Sequence, residues 1–230
     1  MVDLSVRRPE LVELMDDPDC DLEGLRRTYA QFRLVNRVVA GWHRVYRRRI
    51  RPLLSPEVTS SWLDIGSGAG DIPRAVARWA ARDGLRLEVT ALDPDERAYA
   101  YATEQPTTPG VTYRRGSSAE LVAAGETFDI VTSNHLLHHL DHQALLALLG
   151  DSERLARRLV VHNDIERRGW AYAAYAVAAR PVARGSFLLV DGLRSIRRSY
   201  RPEELAALVG PPWTVESQWP ARLLLVREIG

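Results

Sequence analysis

Ten residues in the middle of the chain, SNHLLHHLDH at 133–142, bring together side chains that can carry protons or bind metal ions. Besides Asp141 they include four histidines, His135, His138, His139 and His142. If the segment is helical, the spacing i, i+3, i+4 and i+7 places several imidazoles on one face. The pattern is compatible with a metal site, with a catalytic base or with neither, and the surrounding elements must decide among the three.

A glycine-rich stretch, LDIGSGAGD at 63–71, follows an apolar segment and precedes a helical one. Its glycines let the backbone approach a ligand closely. The dinucleotide fingerprint would need glycine at position 71, but Asp71 stands there, and its carboxylate would repel a pyrophosphate. A P-loop is excluded because all 31 basic residues are arginine. The turn therefore favours a nucleoside ligand that carries positive charge and no phosphate. Asp64 would face that charge, and Asp93 would accept hydrogen bonds from the ribose hydroxyls.

Strand and helix patterns alternate from residue 60 onward, as in an open parallel sheet with helices on both faces. Strands are predicted at 60–66, 85–93, 111–115, 128–133 and 158–164, with helices between them at 70–83, 95–104, 118–124 and 141–156. Two further strands, 213–218 and 222–228, predict an antiparallel C-terminal hairpin. The predicted fold class is α/β, with a Rossmann-like, doubly wound, seven-stranded and mostly parallel sheet.

Apolar residues recur at steps of three and four from 21 to 54, which predicts N-terminal helices interrupted at Gly41. The change of pattern near residue 56 divides the chain into a helical cap, 1–55, and a main domain, 56–230. A net charge of +1 gives no reason to expect a nucleic-acid partner. One cysteine, Cys20, and no apolar run of about 20 residues predict a cytoplasmic protein without a membrane span.

These pieces, taken in order, resemble the class I S-adenosylmethionine-dependent methyltransferases, in particular the small-molecule enzymes of quinone and polyketide type. The likeness covers residues 56–230. It rests on LDIGSGAGD, the strand-end acid of ALDPD (91–95), RRGSSAEL (114–121), FDIVTSNHLLHHL (128–140) and the terminal strand pair. The resemblance implies S-adenosylmethionine as the cofactor. It also implies a small aromatic or polyketide-like metabolite of secondary metabolism as the acceptor, methylated at a hydroxyl oxygen.

The resemblance also implies which residues bind the cofactor. The glycines would line its methionine part, Asp64 would lie near its amino group, and Asp93 would hold the ribose. Other positions would flank the adenine or offer backbone contacts. The full set is Asp64, Gly66, Gly68, Gly70, Asp93, Pro94, Ser117, Ser118, Ser133 and Asn134.

Residues after the fourth and fifth strands are expected to meet the acceptor, because ligands of such sheets bind beyond the carboxyl ends of the strands. The stretches 160–178 and 190–205 resemble segments near the acceptor pocket of small-molecule methyltransferases. They supply the substrate-binding candidates His162, Arg167, Asp191, Ser195, Arg197 and Arg198. The arginines could instead form a salt-bridge network with Asp164 or Asp191.

Two aromatic groups have two interpretations each. Tyr29, Phe32 and Trp42 could form a lid over the cofactor, or they could pack in the core at helical spacing. The stretch 166–190 carries four aromatic residues that suit a wall for a planar acceptor, Trp170, Tyr172, Tyr175 and Phe187. Nearby, Asn36 matches an asparagine of the quinone-biosynthesis methyltransferases.

The histidine segment leaves the fourth strand beside the expected point of methyl transfer. Residues 133–136 need not be helical there and the rings need not converge, so no metal site is expected. His139 and His138 are the candidate bases, together with Asp164, whereas His135 and His142 are assigned to the surface. Two alternative functions stay open: methylation of RNA or protein, and a cofactor-binding partner without catalytic activity.

Overall fold

One sheet forms the centre of the protein in the computed structural model, which describes residues 2–230. Within those residues it contains seven strands in the order β3-β2-β1-β4-β5-β7-β6. The strands are β1 (Ser60–Ile65), β2 (Leu87–Asp93), β3 (Val111–Arg115), β4 (Phe128–Asn134), β5 (Ala156–Ile165), β6 (Thr214–Gln218) and β7 (Arg222–Glu228). Strands β1 to β5 pair in parallel, and β7 runs antiparallel to both β5 and β6. The predicted fold class is confirmed.

Helices cover both faces of this sheet. They are α1 (Leu22–Val39), α2 (Trp42–Val45), α3 (Asp71–Arg82), α4 (Glu96–Glu104), α5 (Ser118–Ala123), α6 (His142–Leu155), α7 (Gly169–Ala178), α8 (Leu188–Arg198) and α9 (Pro202–Val209). Gly41 separates α1 from α2 in the left-handed region, at φ 67°, as its position in the pattern predicts. The aromatic stretch 166–190 contains α7 and the start of α8, although its sequence pattern predicts no helix there.

The sheet is buried on both sides, because successive residues of a strand point to opposite faces. In β1, Trp62 packs among residues of α2 and α3, whereas Leu63 packs towards α6 and α9. Both side chains are completely buried. Adjacent apolar residues, Trp62 and Leu63, suit a strand that is buried on both faces. Its carboxyl end therefore opens towards the glycine turn at 66–70.

Residues 2–21 form an N-terminal strap that runs across the carboxyl edge of the sheet, with one 3₁₀ turn at Leu14–Asp16. Many contacts attach it to the rest of the protein, and three of them are hydrogen bonds that its backbone amides donate. The Arg8 backbone amide donates to the Arg197 carbonyl at 2.9 Å. The Asp191 carboxylate accepts the amides of Leu14 and Met15 at 2.7 and 3.0 Å. The predicted cap is thus helical only from residue 22 onward.

Among residues 2–230, none of the helices combines the length and the apolar character needed to cross a bilayer.

Arg167, two residues beyond the end of β5, ties the strap to the C-terminal helices and is expected to stabilise the fold strongly. Its guanidinium is buried; it pairs with Glu204 and donates to the carbonyls of Ser199 and Leu4 at 2.6 and 3.0 Å. Arg167→Met should lower the free energy of unfolding by about 3 kcal/mol, because it leaves buried acceptors without a donor. Urea denaturation measures this.

The exposed pair Arg26–Glu104 supplies the control, because both side chains are about half exposed. Arg26→Met should cost less than about 1 kcal/mol. Equal losses for the two variants would show that Arg167 has no special structural role.

Candidate active site

A cavity of about 600 Å³ lies at the carboxyl edge of the sheet and joins two chemically different ends. One end is lined by the glycine turn, by Asp93 and by the start of α4. The other is lined by the strap, by the turn after β4, and by α7 and α8. The volume falls in the range of ordinary small-molecule sites. A single cavity therefore connects the two regions that carry the chemistry of the sequence.

The glycine turn is held open by backbone geometry and by one carboxylate. Gly68 and Gly70 have φ of 53° and 70°, which other residues rarely adopt. A Cβ on Gly70 would also come within 2.5 Å of the Tyr113 ring. Asp93, at the end of β2, accepts the amides of Gly68 at 2.7 Å and Asp95 at 2.9 Å. Each carboxylate oxygen of Asp93 thus uses one lone pair to fix the turn, and its other lone pair remains available to a ligand.

Carboxylates dominate this end of the cavity, since Asp64, Asp71, Asp93 and Asp95 all line it. Burial raises the pKa of Asp64 to about 7, with the charges of Asp71 and Asp93 adding to the effect and the Thr132 hydroxyl opposing it. Burial likewise raises the pKa of Asp71 and of Asp93. Such a group of acids disfavours anions and favours a cationic ligand, which would relieve their mutual repulsion.

Asp71 replaces the last glycine of the dinucleotide fingerprint, and its partner explains why an acid is tolerated there. It is the first residue of α3, where a negative charge interacts favourably with the helix dipole. Its carboxylate accepts a hydrogen bond from the Asn36 side chain of α1 at 3.1 Å. Asn36 therefore connects the helical cap to the cofactor-like end of the cavity.

Four of the cofactor candidates near strand ends have other partners. Ser117 caps α5 in a capping box with Glu120, and Ser118 donates to Asp151 at 2.7 Å; neither lines the cavity. Ser133 is completely buried against His162, at 2.8 Å between Oγ and Nδ1. Of the four, Asn134 lines the cavity, and its side-chain oxygen accepts from Trp42 at 2.9 Å. The expected places of Ser117 and Ser118 are thereby corrected, because local capping uses their hydroxyls.

The turn after β4 carries a buried charged pair. His138 Nδ1 lies 2.7 Å from Asp164 Oδ1, and the His138 amide donates to Asp164 Oδ2 at 2.8 Å. Burial alone would lower the pKa of His138, but the charges of Asp164 and Glu13 raise it to about 9. His138 in turn keeps the pKa of Asp164 well below its ordinary value. In the ligand-free protein His138 is therefore an imidazolium at neutral pH.

The strap completes this arrangement with Glu13, which sequence reasoning missed. Glu13 Oε1 lies 3.3 Å from His138 Nε2 and 3.8 Å from His139 Nε2. The Ser195 hydroxyl donates to the same oxygen at 2.7 Å. His139 Nδ1 lies 3.1 Å from Asp16 Oδ2, also on the strap. We call Glu13, His138 and His139 the imidazole–carboxylate cluster; all three line the cavity.

The remaining histidines of the opening segment divide as follows. His142 is exposed, as expected. His135 is not at the surface: it lines the cavity, and its Nε2 lies 2.9 Å from the buried Arg222 guanidinium. Burial and the Arg222 charge bring the pKa of His135 well below its ordinary value. Its φ of 57° turns the chain sharply at the end of β4, a strained conformation that is common at functional sites.

The substrate candidates separate into two groups. Asp191, Ser195 and Arg198 line the cavity, but they also hold the strap and the turn after β4. His162, Arg167 and Arg197 do not line it, which corrects their expected position. The reason is strand length: β5 continues to Ile165, so His162 lies inside the sheet beside Trp213, with ring centroids 5.8 Å apart. Arg167 forms an ion pair instead, but with Glu204 and not with Asp164 or Asp191, the partners that the alternative interpretation names.

Aromatic and small apolar residues line the rest of the cavity. Tyr29 and Phe32 of α1 contribute to the lining, whereas Trp42 is a core residue packed near Trp62. On the other wall, Trp170 and Tyr175 line the cavity together with alanines of α7. The expected aromatic wall therefore consists of two of its four candidates, because Tyr172 and Phe187 do not face the cavity. Phe187 packs against α1 instead.

Comparison with known proteins agrees with this geometry. Residues 63–159 match a protein family described as "Methyltransferase domain". The chain is 32% identical over 145 residues to a ubiquinone biosynthesis O-methyltransferase of Rhizobium etli, covering 62% of this chain and 55% of that protein. A homologue of that enzyme from Rhizobium leguminosarum is 33% identical over 146 residues, covering 62% and 54%. The chain spans about half the length of these curated relatives.

Solved structures show the same fold. Human N-acetylserotonin methyltransferase in complex with S-adenosylmethionine superposes with a TM-score of 0.62 at 13% identity, covering 90% of this chain and 56% of that one. Magnesium protoporphyrin IX methyltransferase from Synechocystis gives a TM-score of 0.54 at 13% identity, covering 90% and 87%. At such identities the likeness concerns the arrangement of the chain, and it agrees with the strand order described above.

Asp64 offers a direct test of the electrostatics at this end of the cavity. Since its pKa is raised in the folded protein, folding binds a proton between about pH 4 and 7, and stability falls as pH rises through that window. Asp64→Asn should therefore increase the free energy of unfolding by roughly 2–4 kcal/mol at pH 8 and change little at pH 4. Denaturant unfolding at several pH values measures the difference.

Asp129, near the other end of β4, provides the matched control with the opposite sign. Hydrogen bonds from Ser61 and the charge of Arg157 outweigh burial and lower its pKa. Asp129→Asn should destabilise the protein above pH 4. If Asp64→Asn also destabilised it at pH 8, the charge at Asp64 would not carry the cost assigned to it.

Proposed function

We propose that this chain transfers the methyl group of S-adenosylmethionine to a hydroxyl oxygen of a small aromatic or polyketide-like metabolite. By domain and by fold it belongs to the class I S-adenosylmethionine-dependent methyltransferases. The observation that carries the proposal is the single cavity that joins a carboxylate-lined glycine turn to the imidazole–carboxylate cluster. The names of the curated relatives, ubiquinone biosynthesis O-methyltransferases, support oxygen as the methylated atom.

The glycine-turn end suits the cofactor. S-Adenosylmethionine carries a sulfonium and an ammonium group, and the four aspartates there supply the opposite charge. In this proposal Asp93 accepts the ribose hydroxyls with the lone pairs that the turn leaves free. Asp64 lies near the ammonium group, and Gly66, Gly68 and Gly70 pass along the methionine part. Pro94 and Asn134, which also line the cavity, complete the set of contacts.

The opposite end suits a planar, largely apolar acceptor. Trp170, Tyr175 and the alanines of α7 form one wall, and Phe32 of the cap forms part of the other. The strap covers this end, because Glu13, Met15 and Asp16 all line the cavity. A cavity of this size beneath the strap favours a small molecule over an RNA or protein acceptor. In this proposal residues 1–55 form the cap over the site and residues 56–230 form the methyltransferase domain. The expected compartment is the cytoplasm.

Methyl transfer is an in-line displacement, in which the acceptor oxygen attacks the methyl carbon and S-adenosylhomocysteine leaves. Holding the three atoms in line supplies much of the catalysis. The hydroxyl proton must also leave, and His139 is the proposed base: it lines the cavity, and Asp16 orients its Nδ1, so Nε2 faces inward. His138 and Asp164 position Glu13 and hold the turn. A positioned base of this kind contributes roughly 10²- to 10⁴-fold.

Asp93 should control affinity for the cofactor. Asp93→Ala removes the acceptors for the ribose hydroxyls and should weaken binding by about 1.5–3 kcal/mol, or roughly 10- to 150-fold, in calorimetry with S-adenosylhomocysteine. Ser118→Ala is the control, because its hydroxyl bonds to Asp151 outside the cavity. An unchanged affinity of Asp93→Ala would reject the placement of the nucleoside.

His139 should control turnover. With S-adenosylmethionine and a panel of phenols and hydroxyquinones, mass spectrometry should show a product 14 mass units heavier that carries a new O-methyl group. His139→Ala should lower kcat by about 10²-fold or more without changing cofactor affinity. His142→Ala removes an exposed imidazole three residues away and should leave kcat unchanged. Binding of cofactor with no turnover on any acceptor would contradict the proposal and favour a non-catalytic partner.

A further inference from the structure

Arg222 is a buried cation that methyl transfer itself does not use. It is the first residue of β7 and pairs in the sheet with Ile165, the last residue of β5. Arg222 is 2% exposed and lines the cavity. Neither the proposed cofactor contacts nor the proposed base involve it. We propose that Arg222 binds a carboxylate group of the acceptor, so that the site selects anionic hydroxyaromatic compounds. This inference rests on the proposed function for the identity of the ligand.

The hydrogen bonds of Arg222 all go to neutral acceptors. Its Nε donates to Asn163 Oδ1 at 3.0 Å, and its Nη2 donates to Asn134 Oδ1 at 3.3 Å. Its Nη1 donates to His135 Nε2 at 2.9 Å, so His135 is neutral, because a guanidinium cannot accept a hydrogen bond. Among residues 2–230 one N–H on Nη1 and one on Nη2 are left without an acceptor. Two such donors on one guanidinium suit the two oxygens of a carboxylate.

The positive charge of Arg222 also has no counter-ion of its own among residues 2–230. The carboxylate whose charge favours it, Asp164, already pairs with His138 at 2.7 Å. A buried charge without a partner is costly, and burial lowers the pKa of Arg222 to about 10. An anionic ligand would supply the missing charge and favour the protonated guanidinium.

The surroundings of Arg222 belong to the acceptor end of the cavity. Its sheet partner Ile165 also lines the cavity. The charge of Arg222 lowers the pKa of His135 and of Asp164, which belong to the turn after β4 and its support. The charges that act on Asp64, at the glycine turn, are those of other aspartates. We therefore assign the anion to the acceptor and not to the carboxylate of the cofactor.

His135 separates Arg222 from the imidazole–carboxylate cluster. The His135 and His138 ring centroids lie 6.3 Å apart, and those of His138 and His139 lie 4.3 Å apart. The cation and the proposed base are thus at different points of the acceptor end. This separation suits an acceptor that carries a hydroxyl and a carboxylate on one planar ring, with the ring against the wall that includes Trp170.

Binding is tested by calorimetry on the full chain with S-adenosylhomocysteine present. The probes are hydroxybenzoic and dihydroxybenzoic acids, each compared with its primary amide, which has the same shape and no charge. The wild type should bind the preferred acid roughly 10-fold or more tightly than its amide. Arg222→Gln should abolish this preference. Arg222→Lys should keep part of it, because the charge stays while the two-pronged geometry is lost. A purely structural role of Arg222 would weaken acid and amide alike.

Arg227→Gln is the matched control, because Arg227 lies on the same strand and pairs with Glu153 outside the cavity. It should keep the preference of the wild type. Circular dichroism of each variant verifies folding. If Arg222→Gln does not fold, the test is the acid preference of the wild type and its partial loss in Arg222→Lys.

Affinity for the cofactor product distinguishes the two possible carboxylates. Arg222→Gln should leave the affinities for S-adenosylhomocysteine and for methylthioadenosine, which lacks the amino acid part, unchanged. A loss confined to S-adenosylhomocysteine would overturn the assignment, because Arg222 would then bind the carboxylate of the cofactor.

Two further results separate this inference from the proposed function. Equal binding of acids and amides by the wild type, or methyl transfer to neutral phenols as fast as to acids, would overturn the anion site; the second result would support the proposed function. An acid preference that depends on Arg222, without methyl transfer to any acceptor, would support the anion site and contradict the proposed function.

Discussion

The buried pair of His138 and Asp164 is the interaction on which the acceptor side of the cavity depends. Asp164 lies near the end of β5 and accepts both the ring and the amide of His138, so it fixes the turn that follows β4. The raised pKa of His138, about 9, gives Glu13 of the strap an opposite charge to approach inside the protein. Ser195 of α8 then bonds to the same glutamate. Removal of His138 would leave the buried carboxylates of Asp164 and Glu13 without their shared counter-charge.

The two ends of the cavity use charge in opposite ways. At the glycine turn burial raises the pKa of Asp64, Asp71 and Asp93, and repulsion from its neighbours adds to the effect at Asp64, so their ionisation destabilises the folded protein there until a cation binds. At the other end the acids are matched by imidazoles and by Arg198, and they attach the strap. Such a division fits a site that must bind a positively charged cofactor while it keeps its acceptor wall in place. It also explains why destabilising groups are retained in a buried position.

The sheet and its helices are predictable from sequence because their signals are local. The alternation along β1 to β5, the glycine turn and the terminal hairpin all appear within short windows, and their predicted bounds agree with the structure to within a few residues. Asp64, Asp93 and the glycines follow from the same local logic, since each stands at the end of a strand. The S-x-x-E spacing of Ser117 and Glu120 is also a local signal, of a helix cap, and it could have removed Ser117 from the cofactor set.

The strap could not be predicted in this way, since its contacts join residues more than a hundred positions apart. Nothing in ELMDD at 13–17 indicates that Glu13 and Asp16 meet His138 and His139. The exact end of β5 is equally hard to predict. Because the strand continues to Ile165, His162 lies inside the sheet and Asp164 lies near the strand end, against His138. The spacing of the four imidazoles predicts a shared helical face. In the structure His138 and His139 contact the strap, His135 contacts Arg222, and His142 is exposed.

The most direct test of this account is a crystal structure of the protein with S-adenosylhomocysteine. We expect the ribose hydroxyls on the Asp93 carboxylate, the amino group near Asp64, and the sulfur directed through the cavity towards Glu13 and His139. A nucleoside bound elsewhere, or a sulfur directed away from the imidazole–carboxylate cluster, would contradict the claim that the two ends of this cavity form one methyl-transfer site.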